Sequence, residues 1–256
     1  MNNNKELKLA VLIDADNISY THTKAMLDEI AKLGIPTIKR IYGDWTKPAV
    51  NGWKAQLLEH AITPVQQYSY TYGKNATDSA MIIDAMDILH AEKVEGFCIV
   101  SSDSDFTRLA TRLRESGMLV IGIGEKKTPS PFIVACDKFI YIEIISRQDM
   151  KDKETEVKIP GQKASKSKPV SKEVDAINDK FIKLLKSTID DLADDEGWAF
   201  LAEVGGLLLK KRPDFDPRNY GFTKLTPLIK SLGKYFVIDE REVEKKHIKH
   251  IYVKNK

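Results

Sequence analysis

The chain has 256 residues, 42% hydrophobic and 30% charged, with a formal net charge of +3; it is long enough for a full α/β core plus a second small domain, and its composition is that of an ordinary globular protein. No apolar run approaches the roughly 20 residues that span a bilayer, and the start, Met1-Asn2-Asn3-Asn4-Lys5, lacks the basic-then-apolar order of a secretion signal, so a cytoplasmic location without membrane partners is expected. The mild positive charge alone decides nothing about nucleic acid, and Cys98 and Cys136, each inside an apolar segment, are expected to be free packing thiols.

From Leu7 to about Ile145, short β-rich runs alternate with helix-length amphipathic stretches, the pattern of βαβ units around a parallel sheet. The runs predict strands over Leu7 to Ile13, Thr37 to Tyr42, Pro64 to Tyr68, Gly96 to Val100, Leu119 to Ile123 and Phe139 to Ile145. Helical spacing predicts one connection from Thr23 to Leu33, one beginning at Thr77-Asp78 with Met81, Ile82, Ala85, Ile88 and Leu89 inward, and one after Asp103 that buries Phe106, Leu109, Ala110 and Leu113. Residues 1–146 are thus expected to form an α/β domain around a parallel sheet. Residues 147–174, rich in Lys and poor in apolar residues, read as a flexible linker. Over 175–256, helices from Ile177 to Leu192, Ala199 to Lys211 and Thr223 to Leu232 precede two short strands, Tyr235 to Ile238 and Ile248 to Val253, the order of a winged helix.

Acidic residues stand where hydrophobic runs stop. Leu9 to Ile13 runs into Asp14-Ala15-Asp16-Asn17, and Phe97 to Val100 runs into Ser101-Ser102-Asp103-Ser104-Asp105. If the two runs are neighbouring parallel strands, their carboxyl ends share one crevice, and repelling charges gathered there point to a divalent metal and to metal-assisted phosphodiester hydrolysis. Asp14 is the first candidate ligand, with Asp16 and Asn17 within reach of the same ion directly or through water. Each of these residue types also caps helices and shapes turns, but two acids at 103 and 105 beside a second acidic loop exceed what capping requires. Asp78 approaches from the start of another helix, and Lys74, one turn earlier, suits a phosphate contact. His22, His60 and His90 lie away from these motifs.

Leu12 to Asn17, Lys74-Asn75-Ala76-Thr77-Asp78-Ser79, Ser101 to Phe106 and Ala135-Cys136-Asp137-Lys138-Phe139 resemble, in order, the motifs of NYN domains of the LabA-like type, in the PIN-like nuclease superfamily. The resemblance implies a Rossmann-like three-layer fold of PIN-like type and a ribonuclease site using Mg2+ or Mn2+, with Asp14, Asp78, Asp103 and Asp105 as metal-holding catalytic residues. Asp16, Asn17 and Ser102 are expected to support them. Near the crevice, Arg40 is a candidate for holding phosphate, and Tyr42, Trp45 and Tyr72 for stacking bases, with strand-end packing equally open. Residues 174–253, with Gly197-Trp198, Arg212-Pro213-Asp214-Phe215 and Asn219-Tyr220-Gly221-Phe222, are similar to the OST-HTH, or LOTUS, domain. That likeness implies RNA binding, with Lys210, Lys211, Arg212, Arg218 and Lys224 as phosphate contacts; Trp198, Phe215 and Phe222 are expected in the core.

Three functions remain open at this point: a metal-dependent endoribonuclease whose second domain tethers RNA, a catalytically silent RNA-binding adaptor, and a phosphatase using Asp14 as a covalent nucleophile. The last lacks a convincingly placed lysine and hydroxyl residue. Homo-oligomer formation is left open as well.

Overall fold

The computed structural model describes residues 6–68, 76–148, 174–243 and 248–256. They group into two compact units, Met1–Lys158 and Ile159–Lys256. Lys74, Tyr72 and nearly all of the expected linker lie outside the described residues.

The first unit is built on six strands: β1 (Lys8–Asp14), β2 (Ile35–Gly43), β3 (Thr63–Gln66), β4 (Gly96–Val100), β5 (Leu119–Gly124) and β6 (Lys138–Tyr141). They form one sheet in the order β3-β2-β1-β4-β5-β6, and every neighbouring pair is parallel. A parallel sheet is covered on both faces, which explains why β1 and β4 read as unbroken apolar runs. The chain winds outward from β1 in one direction and from β4 in the other, so a crevice opens between their carboxyl ends.

Side chains alternate between the two faces with period two. Ala10, Leu12, Phe97 and Ile99 join one core with Met81 and Ala85 of α3 (Ala76–His90) and Leu109 and Leu113 of α4 (Thr107–Glu115). Leu9, Val11, Ile13, Cys98 and Val100 join the other with Met26 and Ile30 of α1 (Thr23–Ala31) and Trp53 of α2 (Trp53–His60). Both cysteines are buried and free. Extending the alternation one step puts Asp14 on the α3 side of the sheet, which is what brings it to the other acids.

Two details differ from the sequence expectation. The last strand stops at Tyr141, not Ile145, and residues 142–148 form helix α6 after the short α5 (Ser130–Ala135). The reason is a missing ladder partner: β6 is an edge strand whose pairing ends at Gly124 with Tyr141, and beyond it only a helix satisfies the backbone internally. At the other edge region, β2 begins at Ile35, through Pro36. A register shift accommodates it: Leu9 faces Pro36 and Ala10 faces Ile38, leaving Thr37 unopposed.

In the second unit, α7 (Asp179–Asp190), α8 (Leu201–Lys211) and α9 (Leu225–Ser231) pack on an antiparallel sheet ordered β7-β9-β8, from β7 (Ala199–Phe200), β8 (Phe236–Val243) and β9 (Ile248–Asn255). This is the winged-helix arrangement, with Asn178 capping α7 by accepting from the Phe181 amide. Ala199 and Phe200, expected in a helix, form a third strand against Val253 and Tyr252. Among the described residues no helix is long and apolar enough to cross a membrane.

Candidate functional site

Asp14 closes β1 with 1% of its surface exposed. It accepts hydrogen bonds from Asn17 Nδ2 at 2.6 Å, Ser101 Oγ at 2.8 Å and the Asp16 amide at 3.1 Å. Burial pushes its carboxyl above the ordinary range, while Asn17, Ser101 and the Asp16 amide pull it back. Asp16 is exposed and accepts from Thr77 Oγ1 at 3.1 Å, which ties the first acidic loop to the first turn of α3.

One residue after Thr77, Asp78 is largely buried at the same turn. Its carboxyl is pushed up to about 6, first by burial and then by the negative charges of Asp14, Asp103, Asp105 and Asp16, in that order. Asp103 follows β4 and caps a 3-10 turn, Ser104–Phe106, by accepting from the Asp105 amide at 2.9 Å. Carboxylate oxygens of Asp78, Asp103 and Asp105 all lie within 4.8 Å of one another. Asp14 stands outside that trio but is the foremost charge acting on Asp78. The four acids chosen from the sequence therefore converge, from the ends of two adjacent strands and the start of one helix.

Ser101 is the connecting residue that sequence inspection passed over in favour of Ser102. Fully buried, it donates to Asp14 and accepts from the Asp103 amide at 3.1 Å, so one hydroxyl joins both acidic loops. Ser102 instead accepts from the Glu125 amide at 2.8 Å and braces the loop after β5. The signal was in the register: Ile13 pairs with Val100, so the next residue of each strand, Asp14 and Ser101, emerges on a common face. Gly124 allows the close approach behind it, since a Cβ there would lie 2.6 Å from the Ser101 carbonyl. Ser101→Ala leaves a buried carboxylate short of one donor, and we expect it to cost about 1–3 kcal/mol in the metal-free protein, measured by denaturant unfolding.

Arg40 and Tyr42, for which ligand contact and packing were both open, are tied to α3. The Arg40 guanidinium pairs with Asp84 of α3, and the fully buried Tyr42 donates its hydroxyl to the same carboxylate. The Arg40 guanidinium is held charged by Asp84, and burial with Asp84 drives the Tyr42 phenol up. Half-buried Trp45 donates its ring N–H to the Val65 carbonyl at 3.1 Å and so packs over the strand end. Asp137, at the opposite end of the sheet from the acids, bonds Arg114 at 2.9 Å and the Val120 amide at 2.8 Å, a structural role.

The model of the NYN domain family matches residues 8–143, and that of the OST-HTH/LOTUS domain matches residues 172–248. The chain belongs to the NYN domain family. Among solved structures, it is similar to an uncharacterized protein from Nitrosomonas europaea, with 35% identity over 38% of this chain and 91% of that one and a TM-score of 0.30. It is also similar to a protein of unknown function from Vibrio parahaemolyticus, with 20% identity over 56% of this chain and 96% of that one and a TM-score of 0.46. No curated protein matches the chain.

The acid cluster just described lies within the residues that the NYN model matches. In the LOTUS domain, three of the five basic residues marked for phosphate contact are engaged by neighbours. Lys211 pairs with Asp191 and reaches Ser187 Oγ and Thr188 Oγ1, each at 3.3 Å. Arg212 bonds Asp214 at 3.0 Å and the Tyr220 hydroxyl at 2.9 Å, and Arg218 grips Asp216 at 2.7 Å. Lys210 and Lys224 remain exposed. Phe215 is buried against Phe181 and Tyr220, as expected of a core ring. Trp198 is not in the core: it is half-buried, and the Arg241 and Lys254 cations lie over it.

Proposed function

We propose that the chain is a metal-dependent endoribonuclease whose LOTUS domain binds the RNA that its NYN domain cuts. The observation that carries this reading is the convergence of Asp78, Asp103 and Asp105 within 4.8 Å, with Asp14 behind them. Clustered carboxylate oxygens suit a small hard dication, Mg2+ or Mn2+, and Asp78, pushed up first by burial and then by its acidic neighbours, is the member that such an ion would favour in its ionised form.

The chemistry such an ion supplies when bound is charge neutralisation at the scissile phosphate and a lowered pKa for an attacking water. What the chain itself contributes is placement. Asn17, Ser101 and the Asp16 amide fix the rotamer of Asp14, Thr77 holds Asp16, and the Asp103 cap fixes the loop from which Asp105 projects. Such preorganisation spares reorganisation when charge develops on the leaving oxygen. Asp14, with 1% exposure and three donors on its oxygens, is poorly presented as a covalent nucleophile, which disfavours the phosphatase alternative.

The test is turnover. Purified full chain is incubated with single-stranded and structured RNA and DNA in manganese, magnesium or chelator, and the product ends are mapped. Internal cuts in RNA that require the metal are expected. RNA that is bound yet survives intact with every metal would replace this reading with the silent adaptor.

A further inference from the structure

The outer face of the LOTUS sheet carries a side-chain set that the helical lysines do not account for. Ala199 and Val253 turn inward to the core, so by alternation Trp198, Phe200, Tyr252 and their same-parity neighbours His250 and Lys254 share the opposite face. Pairing brings Arg241 opposite His250 and Phe200 opposite Tyr252. The result is a continuous stack: the Arg241 guanidinium carbon lies 4.2 Å from the Tyr252 ring centre and 5.4 Å from that of Trp198, and Lys254 Nζ lies 5.9 Å from the latter. Phe200 extends it, 5.6 Å from Tyr252 and stacked on His250 at 5.0 Å.

Arg241 is held in place rather than free, since its Nε donates to Asp239 at 2.8 Å, yet 41% of its side chain remains exposed. Asp194, the other carboxylate near it, is taken up by the Glu196 and Trp198 amides. A guanidinium lying on a ring offers a flat, charged plane, which an ammonium does not. Planes of this kind stack unpaired bases, and adjacent cations hold the phosphates between them. A duplex keeps its bases stacked inside and offers no face to such a surface.

We propose that this sheet face, rather than the helices, is the RNA surface of the LOTUS domain, and that its ligand is single-stranded RNA, with bases stacked on the Tyr252–Arg241–Trp198 platform and phosphate held by Lys254, whose ammonium gives one of its three donors to the Glu196 carbonyl at 2.5 Å. The inference rests on the RNA-binding reading above and goes beyond it in location and strand form.

The full chain is titrated, in chelator to prevent cutting, into a fluorescein-labelled single-stranded oligoribonucleotide, with its duplex as competitor. Arg241→Ala is expected to weaken binding about tenfold, and Arg241→Lys to recover only part of that, because charge returns without the plane. A Lys210→Ala, Lys224→Ala double variant is expected to stay within about twofold of the parent, being short of the face that binds bases. RNA should also quench a component of tryptophan emission that Trp198→Phe removes, a readout that stands even if Arg241→Ala fails to fold. Parent-like binding by Arg241→Ala, equal competition by duplex, or unchanged Trp198 emission at saturation each overturns the placement while leaving RNA binding intact. No binding by the parent chain would instead overturn the RNA-binding reading itself, and the placement with it.

Discussion

Asp78→Asn and Asp103→Asn should each lower metal-dependent RNA cleavage by about 10²–10³-fold or more with circular dichroism unchanged. The two sites are chosen because they come from different elements, the first turn of α3 and the loop after β4, yet contribute oxygens to one group. Asparagine keeps the volume and one oxygen but removes the charge that attracts a dication. The amide also removes repulsion, so metal-free Asp78→Asn should unfold at a higher temperature than the parent. Loss of activity together with gained stability separates a site residue from a structural one, since damage to packing moves both downward. Full activity in both variants would sink the nuclease assignment; lost activity with lost stability would mean that the acids serve the fold.

How much of this was legible before the fold was known follows from the range of each interaction. The placement of Asp14, Asp103 and Asp105 was readable because a parallel sheet collects its strand ends on one edge, so a run of apolar residues ending in Asp already implies a position; Asp78 was read instead from the start of a helix. The hydroxyl that joins them was not, because choosing Ser101 over Ser102 needs the β1–β4 register. The Arg40 pairing was hidden for a related reason: its partner Asp84 lies 44 positions away on α3, and only packing reveals that a helix presents a carboxylate there. Lys211, Arg212 and Arg218 looked like a basic patch, whereas Asp191, Asp214 and Asp216 pair with them. Asp214 and Asp216, at least, were two residues away and could have been weighed. Trp198 was expected in the core; the alternation Trp198-Ala199-Phe200, with alanine inward, carries the opposite answer once that segment is known to be a strand rather than a helix.

The acid cluster also makes a prediction that needs no substrate: the metal-free protein should gain stability as pH falls from neutrality to about 4. Asp78 has a folded-state pKa of about 6 against an ordinary 3.8. Between those values the folded form holds a proton that the unfolded form has released, so acid favours folding. Above about 6 the penalty of keeping the carboxylate ionised is present in full; below 3.8 both forms are protonated and the contribution is constant. Asp14 is displaced in the same direction, again mainly by burial, and adds to the same slope. Manganese needs ionised carboxylates and competes with those protons. It should therefore stabilise strongly at pH 7.5, where it replaces repulsion by attraction, and weakly at pH 5. Thermal unfolding from pH 4 to 8 in chelator and in manganese measures both effects, with Asp78→Asn as the control from which most of the acid-side gain should vanish. A parent chain that loses stability on acidification just as the variant does, or whose unfolding ignores manganese at pH 7.5, would show that Asp78 is not held ionised against its neighbours and that no ion relieves the cluster.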